Sequence, residues 1–328
     1  MSKPNFSRFN RSAVLLTASL ALLVSACSSG SSPNGNTTVT KTAGAAGSSG
    51  GSTSAASSTS AKPVVPAAQR VHIKTLNSDG VSYGVGMPVI AFFSRKFTTA
   101  AALQKATVAT VNGKPTAGAW YFEPSSGGNG PLEGHYRPQA YWPAHSKVHI
   151  GIPAKGLAAG KDLIFDNSLT LDFSIGARNI TTVDNSTHHM TVTTDGAKWG
   201  SFPVSLGAPA TRTRSGIKVI MEKGRSICMH GPGYNECGVK WTQRLTYDGE
   251  YLHAAPWNTS NIANGVNSSN GCTNMTTADA DRLYHHLEVG DVVTYPNADG
   301  DGMTLGEGYG DWNVQWSEWQ TGGAVTTS

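Results

Sequence analysis

The chain has 328 residues, enough for two modest domains with tails, and its formal charge of +4 comes from 25 basic and 21 acidic residues. Lys3, Arg8 and Arg11 open a first stretch of 26 residues that holds no acid; beyond it, 22 basic residues face 21 acidic ones. A body so close to neutral lacks the basic footprint of a nucleic-acid binder, and that class is excluded.

In chain order, the positive residues precede an apolar run from Ala13 to Val24, too short for an ordinary membrane-spanning helix and suited to an export signal. The run ends Val24-Ser25-Ala26-Cys27, which resembles a bacterial lipobox. That resemblance implies cleavage after residue 26, a lipidated Cys27, and anchoring to the cell membrane on its extracytoplasmic face. Residues 27–68 follow as Ser, Gly, Thr, Ala, Asn and Pro without an aromatic residue, a composition that cannot build a core and reads as a disordered tether. At about 5–6 Å × √n its typical span is about 35 Å, enough to carry the folded part toward the cell wall.

Residues 69–176 read as a β-sandwich. Arg70 to Lys74, Lys147 to Ile152 and Leu169 to Ile175 alternate apolar and polar residues, Pro88 to Phe93 is apolar throughout, and Asn112-Gly113 is a turn signal. His72, His135, His145 and His149 are scattered through it and read as surface or packing residues. The next segment, 177–298, begins with hairpins: Asn179 to Val183, His188 to Thr194 and Ala197 to Leu206, with Asp195-Gly196 as a type I′ turn. His188 and His189 are neighbours on a strand and point to opposite faces, so they do not share a metal ion.

Cys228 and Cys237 lie in a Gly- and Pro-containing stretch, Glu222 to Val239. In an exported protein they can close a small loop as a disulfide; a zinc site or two free thiols are the alternatives, and no Cys-x-x-Cys spacing supports metal. A disulfide is the preferred reading. Cys272 then remains as a thiol, with His253 eighteen intervening residues upstream. A thiolate is a strong nucleophile, an imidazole can generate it, and a turn at Gly271 can aim backbone N–H groups at an oxyanion.

The run His253-Ala254-Ala255-Pro256-Trp257, a loop, and Ser269-Asn270-Gly271-Cys272-Thr273-Asn274 together resemble the catalytic motif of the L,D-transpeptidases, YkuD-type enzymes that cross-link bacterial peptidoglycan. The match is closest to the mycobacterial-type lipoprotein branch, in which an immunoglobulin-like domain precedes the catalytic one. Tyr136-Arg137-Pro138 and Tyr141-Trp142-Pro143 fit that first domain. The resemblance implies a mainly β protein: an immunoglobulin-like sandwich, then a YkuD-type β-sandwich with one short helix after the cysteine. It implies Cys272 as nucleophile and His253 as base, with Gly271, Asn270 and Ala254 in oxyanion or positioning roles. It also implies that Tyr234, Met221, Trp257, Asn274 and Ser269 contact substrate, Tyr234 and Met221 belonging to a mobile lid. No cofactor or metal is implied. The expected activity is formation of 3→3 cross-links on peptidoglycan stem tetrapeptides with release of D-Ala, and carbapenem β-lactams are expected inhibitors. An L,D-carboxypeptidase and a weakened peptidoglycan-binding lipoprotein are the alternatives. Two departures stand out: Asn270 replaces the usual second His, and Ala254 replaces the usual Ser of that branch.

After Cys272, Thr276 to Asp279 reads as a helix start, Gly290 fits a C-cap, and the helix dipole would favour a Cys272 thiolate. Asn297 to Gly302 begins like a calcium loop, but Gly308 stands where the twelfth-position acid belongs, so it reads as a turn. Residues 299–328 place Trp312, Trp316 and Trp319 on one helical face, expected to pack on the catalytic domain.

Overall fold

A computed structural model describes residues 66–328 apart from 127, 232 and 233. The signal peptide, Cys27 and all but the last three residues of the tether lie outside the described residues.

Residues 70–175 form the predicted sandwich. One sheet runs in the order Ile73–Thr75, Val89–Phe93, Leu132–Arg137, Ala119–Glu123; the other in the order Ser82–Tyr83, Leu169–Ile175, Ser146–Ile152, Val108–Val111, Lys114–Pro115. The alternation of Leu169–Ile175 does what period 2 dictates: Leu171, Phe173 and Ile175 are buried and the residues between them are not. Between the sheets lie Phe93, Trp120, Phe122 and Phe165, each removed from water and each contributing about 1.5–3 kcal/mol by burial. Asn112 and Gly113 both have positive φ, 49° and 75°, the geometry that a two-residue type I′ turn requires.

The second part pairs two further sheets. A six-stranded sheet runs Ala197–Pro203, His189–Thr194, Asn179–Asp184, Val292–Tyr295, Arg214–Val219, Gly300–Gly302. A four-stranded sheet runs Glu222–Gly231, Tyr234–Arg244, Tyr251–Ala254, Thr273–Met275. Helix Thr277–His286 follows directly, with the Thr276 hydroxyl accepting the Asp279 N–H at 3.2 Å and Ala280 and Leu283 turned into the core. The stretch from Glu222, expected as a lid, is the start of a long antiparallel hairpin, Glu222–Gly231 against Tyr234–Arg244. Cys228 and Cys237 face each other in its register and are joined by a disulfide.

Three expectations about packing change. Gly290 does not cap the helix, which ends at His286; it holds φ 95° where the chain touches the sandwich, and a Cβ there would lie 2.8 Å from the Gly84 nitrogen. Gly84 and Gly86 donate N–H bonds to the carbonyls of Val289 and Gly290, 2.8 and 2.9 Å. Val219, Val292 and Tyr309 join the sandwich's own hydrophobic cluster, so the two β parts share a core across the boundary at 176.

The C-terminal segment packs on the sandwich, not on the catalytic part alone. Trp319 is fully buried, donates its indole N–H to the Ala119 carbonyl at 2.8 Å and stacks on Tyr121. The guanidinium of Arg137 lies 4.5, 5.4 and 4.1 Å from the ring centres of Trp312, Trp316 and Trp319. A cation already placed on the sandwich collects three aromatic faces, and that attraction wins the tail. On its other side Asn313 donates to the Ile217 carbonyl at 2.7 Å, so the segment straps both parts. In the calcium-like stretch, read as a turn, Gly300–Gly302 is an edge strand beside Arg214–Val219, and the Asn297 amide bonds Asp184 and the Asn185 N–H.

Candidate active site

A parallel ladder brings His253 and Cys272 to one end of the four-stranded sheet. Strand Tyr251–Ala254 pairs with Thr273–Met275 so that Leu252 faces Thr273 and His253 faces Asn274. Cys272 therefore stands one residue before its strand begins, beside the strand that carries His253. Its thiol is within reach of the Tyr251 N–H and donates to the Gly249 carbonyl at 3.5 Å. Both side chains are buried, and Cys272 is a free thiol.

The imidazole is oriented by the main chain. His253 Nδ1 lies 2.9 Å from the Ala254 carbonyl oxygen, which can only accept, so Nδ1 carries the proton and Nε2 has the lone pair. This carbonyl does not need the serine hydroxyl usual at this position. Burial holds the His253 pKa below the ordinary imidazole value. Burial also pushes the Cys272 thiol up to about 12; the Tyr251 N–H and Lys218 pull the other way, while Glu250 adds to the rise. The resting pair is a neutral thiol and a neutral imidazole. The predicted help from the helix dipole is not available, because strand Thr273–Met275 separates Cys272 from the helix N-terminus and the dipole's reach is about one turn.

The turn before the cysteine is held from several sides. The Ser269 hydroxyl donates to the Cys272 carbonyl at 2.6 Å and accepts the Gly271 N–H at 3.2 Å. Thr213 donates to the Gly271 carbonyl and Thr211 to the Ser269 carbonyl, both at 2.8 Å. Gly271 has φ 109°, a conformation that side chains with a Cβ rarely adopt. Its N–H lies on the Ser269 hydroxyl, so here Gly271 shapes the turn, the positioning part of its expected role. Beneath it, buried Lys218 and Glu250 form an ion pair; Glu250 also accepts the Arg214 N–H at 2.8 Å, and the Lys218 ammonium lies 4.0 Å from the centre of the Tyr295 ring. Neither residue was singled out from the sequence: a lone Lys on a β-strand carries no local mark of burial.

A cavity of about 290 Å³ opens over the thiol, lined by Cys272, His253, Tyr234, Trp257, Ser269, Asn270 and Asn274 among the predicted residues. Met229, Glu236, Val239, Asn258 and Ser268 complete it and were missed, since hairpin residues look alike until the fold turns one face to the cleft. Trp257 is 57% exposed, with its ring 6.0 Å from the imidazole. Asn274 is buried, and its Oδ1 has no partner among the described residues. Met221 is the misplaced prediction. It lies between strand Arg214–Val219 and the hairpin, packs against the sandwich core, and lines a separate cavity with Tyr83, Met87 and Tyr309.

A family model described as the L,D-transpeptidase catalytic domain matches residues 178–294, and one for a bacterial Ig domain matches residues 29–158. L,D-transpeptidase 2 of Mycobacterium tuberculosis is 30% identical over 256 residues, covering 75% of this chain and 60% of that protein. L,D-transpeptidase 5 of the same species is 32% identical over 260 residues, covering 75% and 56%. The chain thus spans about 60% or less of the length of these curated relatives. Among solved structures, an L,D-transpeptidase in complex with imipenem is 25% identical with a TM-score of 0.55, covering 68% of this chain and 97% of that one. L,D-transpeptidase 3 of Mycobacterium tuberculosis with a faropenem-derived adduct is 26% identical with a TM-score of 0.54 and the same coverages.

Proposed function

The chain belongs, through residues 178–294, to the L,D-transpeptidase family, and on that premise we propose that it is a cysteine acyltransferase acting on peptidoglycan stem tetrapeptides. The observation that carries the reading is that a buried free thiol and an imidazole, its Nδ1 proton fixed on the Ala254 carbonyl, line one cavity. When substrate enters the cavity, Nε2 of His253 takes the thiol proton and Cys272 Sγ bonds to the carbonyl carbon between the third residue and the terminal D-Ala. In this reading the Cys272 N–H and the Asn270 side chain receive the oxyanion. The imidazolium returns its proton to the leaving amine, D-Ala departs, and a thioester remains. An amine on the third residue of a second stem then attacks that thioester, gives its proton to His253, and closes a 3→3 cross-link while the thiol is restored. Asn274 Oδ1, buried and without a partner among the described residues, is ready to accept an N–H from the donor peptide.

Two relatives whose structures are named with imipenem and with a faropenem-derived adduct support acylation by carbapenems here as well. We further propose that Cys27 is lipidated and that the chain is held on the outer face of the cell membrane, its tether reaching toward the wall. The apolar run before Cys27 and the tether's composition support this.

The test is intact-protein mass spectrometry of the chain with a carbapenem, beside Cys272→Ala. One adduct, absent from the variant, is expected; a folded protein with a free thiol and no adduct would sink the acyl-enzyme. A tetrapeptide stem should then yield the cross-linked dimer, whereas tripeptide alone would point to hydrolysis. For the anchor, Cys27→Ala should release the protein from the membrane fraction.

A further inference from the structure

Four side chains that acyl transfer does not use converge where the sandwich meets the C-terminal strap. Glu123 ends strand Ala119–Glu123 and faces Glu133 across the ladder, and His135 follows two residues later on the strand of Glu133. The pleat turns residues two apart to the same face. One ligand atom from each of Glu123, Glu133 and His135 lies within 4.8 Å of the other two. Glu133 and His135 are 0% and 1% exposed.

The fourth side chain, Asp311, comes from the strap, and its Oδ1 lies 2.8 Å from His135 Nδ1. With the proton on Nδ1 facing that carboxylate, Nε2 presents a lone pair. Nε2 has no hydrogen-bond partner among the described residues; neither has either oxygen of Glu133, nor Oε1 of Glu123. Buried polar atoms are normally paired, so four atoms without a hydrogen-bond partner within one cluster need an explanation. Nε2 and Glu133 Oε1 are 3.4 Å apart. Two ligands about 2.0–2.2 Å from a tetrahedral ion stand about 3.4 Å from each other.

We propose that Glu123, Glu133 and His135 bind one divalent first-row cation of the zinc class, with Asp311 orienting the imidazole from behind. One nitrogen and two carboxylate oxygens suit such an ion, and a carboxylate on the far nitrogen of a ligating His is the usual supporting contact. Two carboxylates cancel the ion's charge, and water supplies the remaining position. Glu123 also lines a cavity of about 540 Å³ between the sandwich and Met303 to Gly306, which gives the ion a route in. Because Asp311 precedes Trp312 on the strap, the ion fastens the strap to the sandwich and leaves the Cys272 chemistry alone. The rival account is a cluster neutralised by shared protons.

The test uses the untagged chain carrying Cys272→Ala, so that zinc cannot sit on the thiol. The protein is stripped with chelator, dialysed against zinc, freed of excess, and read by metal content and melting temperature. One equivalent of zinc per chain with a melting point several degrees higher is expected. Glu133→Gln and His135→Gln should each retain none. Where either variant fails to fold, the cobalt spectrum of the parent should show visible bands of an oxygen and nitrogen site without a thiolate charge-transfer band. A folded parent that retains no zinc and melts unchanged would overturn the site in favour of shared protons. An equivalent that persists in folded Glu133→Gln would place the metal elsewhere.

Discussion

The Nδ1 of His253 lies 2.9 Å from the carbonyl oxygen of the next residue, Ala254, and that one contact assigns the imidazole's role. Because the partner is main chain, the residue type at 254 is free to vary: Ala254→Ser should leave the carbapenem acylation rate within about threefold, since no bond is lost.

The protonation states fix the pH profile. His253 is held below its usual pKa and Cys272 is pushed up to about 12, so the neutral pair persists across the neutral range. As pH falls through the depressed imidazole pKa, Nε2 is protonated and can no longer accept the thiol proton, so activity is lost only on that acid side. Single-turnover acylation should be flat at neutral pH and fall only below about 6.5. An acid limb centred above pH 7 would rule out the neutral pair.

Asn270 lines the cavity over the Cys272 thiol. An amide donor lost from an oxyanion costs on the order of 10²-fold, so Asn270→Ala should slow acylation by about 10- to 100-fold while Asn270→His stays within a few-fold. Stopped-flow fluorescence with a carbapenem measures both. Unchanged kinetics in Asn270→Ala would remove the residue from the oxyanion site.

Trp319 fills the sandwich side of the strap and is fully buried, with its indole bonded to Ala119. Trp319→Ala should cost about 3–5 kcal/mol in denaturant unfolding, the range for a large aromatic removed from a core. A loss under about 1 kcal/mol, the scale of an exposed side chain, would mean the tail is not part of the core.

Asp291 stands at the junction of the two β parts with its carboxyl pKa raised to about 7, chiefly by burial, despite bonds from the Glu288 N–H and the Asn179 amide. Between the unfolded carboxyl value and about 7, the folded chain holds this proton and the unfolded chain does not. Stability therefore falls as pH rises through that window, by on the order of a few kcal/mol in total. Asp291→Asn removes the loss: its stability relative to the parent should climb from pH 5 to pH 8 in urea titrations. A pH-independent difference would sink the assignment.

Much of the fold was legible because period-2 alternation and turn chemistry are local. Leu169–Ile175 buries the residues its pattern marks, and Asp195-Gly196 has the positive φ pair, 51° and 87°, of its turn type. The candidate nucleophile and base were legible because the motif names them, and Tyr234, Trp257, Asn270 and Asn274 line the same cavity. Met221, the cap at Gly290 and the docking of the tail were not legible, since each depends on which distant surface a residue meets.

The sequence by itself determined many of the strands and their turns and singled out Cys272 and His253 as the candidate pair, all of which follow from neighbours along the chain. Only the tertiary structure decided the electrostatics. Burial of Cys272 and His253, not the helix dipole, sets their protonation, and the ion pair of Lys218 and Glu250 lies under the catalytic turn although 32 residues separate them. His135, scattered among polar residues in the sequence, becomes a buried partner of Asp311 from 176 residues away. Desolvation and charge pairing depend on distance in space, and sequence separation carries no information about either.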